Sequence, residues 1–235
     1  MVPGYPLPMI KAVLFDLDGT LYDRDELIQK VVSGQYDVFR EDLSSVPKDT
    51  FVNRVIQLDD HGYGDKTSLY AAVVGEWGLA PGLSDRLVES FWSSYDDNCR
   101  LSEDVRMTLN SLGQKGIKVG VITNGSTERQ QRKLTALGLS SSLDVVLISE
   151  TEGVRKPDRE IFDRALTRCR VQASEALFVG DHPDADIRGA LQAGMHAAWK
   201  IVPYWTCSHD VPFIRELSEI LAMCDGGNSL DKMPA

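Results

Sequence analysis

The chain has 235 residues, a hydrophobic fraction of 43% and a formal net charge of −10. That length fits one large domain or two small ones, and the apolar content supports a substantial core rather than a disordered chain. The negative balance disfavours nucleic acid and anionic membrane as partners, because both require a positive surface.

Residues Met1 to Ile10 lack a basic segment followed by a long apolar run, so a signal peptide is not expected, and no stretch approaches membrane-spanning length. The run Ala12-Val13-Leu14-Phe15 then stops abruptly at Asp16-Leu17-Asp18-Gly19-Thr20. An apolar run of this kind predicts a buried strand that delivers acids to a sheet edge. Strand side chains alternate, so Asp16 and Asp18 are expected to point the same way. Two like charges so placed persist only with a cation or a shared proton. One acid of such a pair can act as nucleophile and the other as general acid/base.

Residues 23–98 read as a helical module. Leu27, Val31 and Val38, then Phe51, Val55 and Leu58, then Leu69, Val73, Val74 and Trp77, then Leu87, Phe91 and Trp92 recur at helical spacing. From Ser102 onward strands and helices alternate. Ser102, with Glu103 and Asp104, starts a helix that ends at Gly116. Ile117–Thr123 reads as the second strand, and Ser126 can cap the helix that runs to Gly138. Val145–Ile148 is the third strand, Asp158–Arg170 a helix, and Leu177–Gly180 the fourth strand. Ile187, Ala190, Leu191 and Gly194 share a helical face. His196–Val202 reads as a fifth strand, and Phe213, Ile214, Leu217, Ile220 and Leu221 as a last amphipathic helix, before a frayed tail from Gly226. This alternation predicts an α/β fold, a Rossmann-like doubly wound parallel sheet, with an all-helical module inserted after its first strand. The core is then residues 1–22 and 99–235, and the insert 23–98. No internal repeat or low-complexity segment is present. Cys99, Cys169, Cys207 and Cys224 lack CxxC spacing, which suggests reduced thiols and a cytoplasmic location.

In such sheets ligands bind beyond the carboxyl ends of the strands. Strand one delivers Asp16 and Asp18 there, strand two Thr123-Asn124-Gly125, and strand four Gly180-Asp181-His182-Pro183-Asp184-Ala185-Asp186. Arg155-Lys156-Pro157-Asp158 follows strand three, where the proline disfavours α geometry at Lys156. Three acids crowd one short turn after strand four. Asp184 is expected to cap the helix that follows rather than to ligate. His182 either orients this loop, hydrogen-bonds Asp181 or serves the fold alone.

These four segments, in this order, resemble the motifs of the haloacid dehalogenase-like hydrolase superfamily. Asp16-x-Asp18-x-Thr20 resembles the first motif, Thr123 the second, Lys156 the third and Gly180-Asp181-x-x-x-x-Asp186 the fourth; the insert resembles the family's small helical cap. Ala185 stands where many members carry Asn. The resemblance implies a Mg²⁺-dependent phosphatase that hydrolyses a small phosphorylated metabolite through an aspartyl-phosphate. Asp16 would be the nucleophile and Asp18 the acid/base. Mg²⁺ would lie among Asp16, Asp181, Asp186 and Asp18, the last through its backbone carbonyl. Thr123 and Asn124 would bind phosphate, and Lys156 would counter its charge. Specificity would come from the cap, where His61, Tyr63 and Lys66 lie in a glycine-containing loop that could equally be a plain surface turn; Tyr22, Asp23 and Arg24 lie near the hinge. A dehalogenase is the nearest rival, disfavoured by Asp18, since halide needs no protonation. A phosphomutase would keep both acids. A phospho-receiver fails on motif order and length, and a silent binding protein predicts missing motif residues, of which there are none. The substrate and oligomeric state are not legible.

Overall fold

The computed structural model describes residues 9–62 and 64–225. In chain order, β1 (Ala12–Phe15) is followed by four helices, α1 (Arg24–Val38), α2 (Lys48–Asp59), α3 (Lys66–Glu76) and α4 (Leu83–Asn98). Then come α5 (Glu103–Gln114), β2 (Lys118–Thr123), α6 (Thr127–Ala136), β3 (Val145–Ile148), a single turn α7 (Ser149–Glu152), α8 (Arg159–Cys169) and β4 (Ala176–Gly180). A π-turn at Pro183–Arg188 leads into α9 (Gly189–Gln192), then β5 (His196–Lys200), β6 (Phe213–Ile214) and α10 (Ile220–Cys224). The chain divides into two compact units, Asp23–Cys99 and the residues on either side of it.

The larger unit is an α/β fold built on one parallel sheet in the order β3-β2-β1-β4-β5-β6. β1 pairs with β2 on one side and β4 on the other. The strand order therefore reverses direction at β1, and loops leaving the carboxyl ends of β1 and β4 are pushed apart there to form a crevice. All four β1 side chains are fully buried, as a strand covered on both faces requires. Ala12 and Leu14 join Ile122, Leu147 and Phe178 in a cluster with Ile161, Phe162, Ala165 and Leu166 of α8. Burial of each large apolar side chain contributes about 1.5–3 kcal/mol.

The predicted strands fall within two residues of those observed, and Ser102 caps α5 by accepting from the Val105 N–H at 3.3 Å. The predicted last helix does not begin at Phe213. Phe213 and Ile214 instead pair with Trp199 and Lys200 as a sixth strand, and helical turns start only at Leu217. Two adjacent apolar residues satisfy a short strand and a helix start equally, and pairing with the open edge of β5 decides between them. Leu191 and Val38, expected on buried faces, are exposed. No helix among the described residues is long and apolar enough to cross a membrane. The tail from Gly226 lies outside the described residues.

The smaller unit packs α1–α4 around Leu27, Val31, Phe51, Val55, Leu69, Val73, Leu87 and Phe91, all buried. α4 shows why it is a helix. Leu83, Leu87, Phe91 and Tyr95 recur every four residues as one buried stripe, and apart from half-buried Val88 and Trp92 the other positions are polar. Inside this apolar core the Gln35 side chain donates to the Leu87 carbonyl at 2.7 Å and accepts from the Tyr70 hydroxyl.

Candidate active site

The site is built at the sheet's switch point. The Asp16 N–H donates to the Val179 carbonyl at 2.9 Å, so the β1–β4 ladder runs one residue past β1 and fixes the Asp16 backbone. The chain then turns back on itself. Gly19 takes φ +84°, a left-handed conformation that favours glycine, and a Cβ there would lie 2.6 Å from Asp181 Oδ2. Gly19 thus allows both the turn and the approach of Asp181.

Beyond β4 the Trp199 indole N–H donates to the Asp181 carbonyl at 2.7 Å. The Asp186 carboxylate accepts from the His182 N–H at 3.0 Å. Gly180 is the strand residue that makes room for it, since a Cβ there would fall 2.5 Å from Asp186 Cβ, Cγ and Oδ2. His182, not Asp184, caps the turn: its Nδ1 accepts from the Asp184 and Ala185 N–H groups at 3.1 Å each. Asp184 points away and pairs with Arg188 at 2.9 Å. The π-turn explains this difference, because its first residue is proline, and the capping side chain must come from the residue before it.

Asp16, Asp181 and Asp186 each present a carboxylate oxygen within 4.8 Å of the others, and all three are buried. Lys156 enters this group, with Nζ 2.5 Å from Asp16 Oδ1 and 2.7 Å from Asp186 Oδ1, and is only 3% exposed. Its backbone is gripped by Asn124, whose Oδ1 accepts from the Lys156 N–H at 2.9 Å and whose Nδ2 donates to the Lys156 carbonyl at 3.0 Å. The Asn124 side-chain amide thereby aims the lysine. The Lys156–Pro157 peptide is cis.

One ammonium does not balance three buried carboxylates. Burial pushes the Asp16 carboxyl up to about 7, and Asp186 and Asp18 add to the rise against the pull of Lys156. Burial, then Asp16 and Asp186, push Asp181 up to about 9. Burial opposes the Lys156 charge, but Asp16 and Asp186 outweigh it and hold the ammonium above its ordinary pKa. The cluster is short of positive charge and rich in hard oxygen donors, a combination that a small divalent cation fits.

Asp18 is not part of that carboxylate group. Its Oδ1 and Oδ2 lie 2.6 and 2.8 Å from Lys133 Nζ, Oδ2 accepts from Gln130 Nε2 at 3.0 Å, and Oδ1 accepts from the Tyr22 hydroxyl. Gln130 Nε2 also reaches Thr123 Oγ1 at 2.5 Å and the Asn124 carbonyl at 3.1 Å. The Thr123 hydroxyl accepts there, so its own hydrogen is available to donate elsewhere. Sequence reasoning missed Gln130 and Lys133. Both lie on a helix so rich in polar residues that local spacing does not set them apart.

The remaining expected residues belong to the smaller unit. Arg24 Nη2 and Lys66 Nζ lie 2.7 and 2.5 Å from the two oxygens of Asp59, and all three side chains are buried. Burial opposes the Asp59 carboxylate, yet Arg24 and Lys66 outweigh it and hold its pKa below the usual range. His61, at φ +50°, has Nδ1 3.8 Å from Asp25 Oδ1. Tyr63 lies outside the described residues.

The family model for haloacid dehalogenase-like hydrolases matches residues 13–200. A glyceraldehyde 3-phosphate phosphatase of Methanopyrus kandleri is 35% identical over 193 residues, covering 80% of this chain and 82% of its own length. A ribulose-1,5-bisphosphate 5-phosphatase of Halopiger xanaduensis is 32% identical over 198 residues, covering 80% and 83%. The crystal structure of a 2-haloacid dehalogenase from Pseudomonas syringae is 30% identical, with a TM-score of 0.59 over 92% of this chain and 99% of that one. With its motif acids, lysine and parallel sheet in place, the chain belongs to the haloacid dehalogenase-like hydrolase family and is a hydrolase.

Proposed function

We propose that the protein is a magnesium-dependent phosphatase that hydrolyses a small phosphomonoester through an aspartyl-phosphate. The observation that carries this reading is the charge inventory of the larger unit's site. Four carboxylates, Asp16, Asp18, Asp181 and Asp186, meet two ammonium groups, Lys133 and Lys156, so a formal charge of −2 is left. Asp16, Asp181 and Asp186 would hold the dication, with the Asp18 backbone carbonyl as a further oxygen donor. When bound, the ion would draw charge from the phosphoryl oxygens and supply the missing positive charge.

The residues divide the reaction between them. An Asp16 oxygen forms a bond to phosphorus as the ester P–O bond breaks. Asp18, having taken up a proton from solvent before the reaction, gives it to the leaving oxygen, so the product leaves as an alcohol and Asp18 is left as a carboxylate. Water then attacks phosphorus, its proton passes to Asp18, and the Asp16–phosphorus bond breaks to release inorganic phosphate. Lys156 holds Asp16 in position and opposes the charge on the transferred group, while the Thr123 hydroxyl donates to a phosphoryl oxygen.

Residues 23–98 act in this reading as a cap that selects the leaving group, with His61, Tyr63 and the hinge residue Tyr22 as its candidate contacts, while buried Arg24 and Lys66 hold Asp59. Residues 1–22 and 99–235 form the catalytic core. Two relatives named as phosphatases of small phosphorylated metabolites support the substrate class. Buried, unbridged Cys99, Cys169, Cys207 and Cys224 are compatible with a reducing cytoplasm.

The dehalogenase likeness gives a second reading, in which Asp16 attacks carbon and expels halide. Asp18 is the residue that separates the two, since an ester oxygen needs a proton to leave and halide does not. The experiment is a panel of phosphorylated metabolites and 2-haloacids with Mg²⁺, read as phosphate or halide release. Phosphate release that EDTA abolishes reversibly and Asp16→Asn abolishes outright is expected. Halide release, retention of the phosphoryl group on a rearranged product, or full activity in Asp16→Asn would overturn the proposal.

A further inference from the structure

The acid/base assigned to Asp18 has an ammonium on both of its oxygens. Lys133 Nζ lies 2.6 and 2.8 Å from them, Gln130 Nε2 lies 3.0 Å from Oδ2, and the two residues stand three positions apart on α6. Asp18 needs such support. It follows the strand rather than lying in it, sits in a turn made by Gly19, and its side chain is 23% exposed, whereas that of Asp16 is 10% exposed. A carboxylate in a partly open turn has several rotamers at similar energy. Contacts to both oxygens select one. Gln130 adds a second constraint, because the same amide nitrogen reaches Thr123 Oγ1 at 2.5 Å and the Asn124 carbonyl at 3.1 Å. Asn124 in turn grips the backbone of Lys156. One helix face thus ties together the acid/base, the phosphate-binding hydroxyl and the segment that carries the buried lysine.

We propose that Lys133, seconded by Gln130, is the positioning residue that holds Asp18 in line with the leaving-group oxygen. The proposal rests on the assignment of Asp18 as acid/base. Lys133 acts through Asp18 and not on phosphate itself. It follows that its loss should matter most when the leaving group needs a proton and least when it does not.

The test compares glycerol phosphate, whose alkoxide must be protonated, with p-nitrophenyl phosphate, whose phenolate leaves unaided. Lys133→Met keeps the apolar stem and removes the charge; Lys133→Arg keeps the charge. The variants are read by steady-state kinetics and by rapid quench with Mg²⁺, and the nitrophenolate burst counts folded active sites. For Lys133→Met, kcat with glycerol phosphate should fall about 100-fold, at the lower end of what a positioned acid supplies. The first turnover of p-nitrophenyl phosphate should survive, as a burst of one equivalent followed by slow release of phosphate. Lys133→Arg should restore much of the glycerol phosphate activity, and Asp18→Asn should show the same burst as Lys133→Met. Equal losses in the first, phosphoryl-transfer step on both substrates, or a matching loss of affinity for inorganic phosphate as product inhibitor, would make Lys133 a phosphate ligand or a structural residue and overturn the proposal. Normal glycerol phosphate turnover in Lys133→Met would overturn it while leaving the Asp18 assignment intact if Asp18→Asn still shows the burst. Absence of that burst in Asp18→Asn would remove the assignment itself, and this proposal with it.

Discussion

Gly180→Ala places one methyl group where the fold has no room for it. The new Cβ would stand 2.5 Å from Asp186 Cβ, Cγ and Oδ2. Carbon–carbon contacts are comfortable only near 3.5–4.0 Å, so Asp186 or the end of β4 must move by about 1 Å. Neither side is free to yield. The Asp186 carboxylate is held by the His182 N–H at 3.0 Å and by Lys156 Nζ at 2.7 Å, and Gly180 is paired in register with Trp199 of β5. An overpacked site of this kind costs about 1–3 kcal/mol of stability. Displacing one carboxylate of the proposed ion site should also weaken Mg²⁺ binding about 10- to 100-fold, comparable to losing a supporting contact of a metal ligand. The assay is turnover as a function of Mg²⁺ concentration, together with urea unfolding in EDTA. Half-saturation should move to higher Mg²⁺, and kcat should recover at saturation if the ion restores the geometry. Gly34→Ala and Gly75→Ala are internal controls. Both are helical glycines whose added Cβ meets nothing within 4 Å, and each should raise stability by about 0.5–1 kcal/mol. An unchanged Mg²⁺ dependence and unfolding midpoint for Gly180→Ala would refute the reasoning.

Three further outcomes are expected. Asp181 is pushed up to about 9 and Asp16 to about 7, so the metal-free folded state binds more protons than the unfolded chain above about pH 4. Their contribution to stability is greatest below that pH and is lost as pH rises toward the folded values. Unfolding midpoints in EDTA should therefore fall with rising pH relative to those of Asp181→Asn, while Mg²⁺ should stabilise the wild type more at pH 8.5 than at pH 6; a pH-independent difference would refute this. Asp59→Asn removes the carboxylate between buried Arg24 and Lys66 and should cost about 3–5 kcal/mol, measured by urea unfolding. Because the pKa of Asp59 is depressed in the fold, its contribution is present at neutral pH and lost as pH falls through the acidic range, so the gap between wild type and Asp59→Asn should close in acid. Asn124→Ala frees the Lys156 backbone while leaving Thr123 in place, and should lower kcat about tenfold or more with a smaller change in KM. An equal rise in KM would refute this and make Asn124 a phosphate ligand.

The sheet was legible because buried parallel strands are almost pure apolar runs. Val145–Ile148 and Ala176–Gly180 are short, β-branched or fully apolar runs bounded by polar turns, and the polar groups that follow them identify the functional edge. The acids and Lys156 were legible for the same reason, since each follows such a run directly or by a short loop. Residues that act from helices were not. Gln130 and Lys133 lie on a helix whose composition is mostly polar, so a buried glutamine and a lysine committed to Asp18 look like any solvated face. Lys66 and Arg24 raise the converse problem. They read as loop and hinge residues open to a ligand, yet both are buried against Asp59, a partner that local spacing does not single out.

The turn after β4 shows where one-dimensional reasoning loses its footing. Asp184 is the right residue type at the right place to cap a helix, but an α-helix is not what begins there. The π-turn closes with Asp186 and Ile187 N–H groups both on the His182 carbonyl, at 3.0 and 3.3 Å. It leaves Asp186 facing Gly180 and Lys156 while Asp184 faces solvent. The choice between Asp184 and Asp186 is thus made by the bare Cα of Gly180, which admits a carboxylate at a distance no side chain would tolerate. Gly180, rather than either acid, is therefore the position where the smallest substitution should tell most about the ion site.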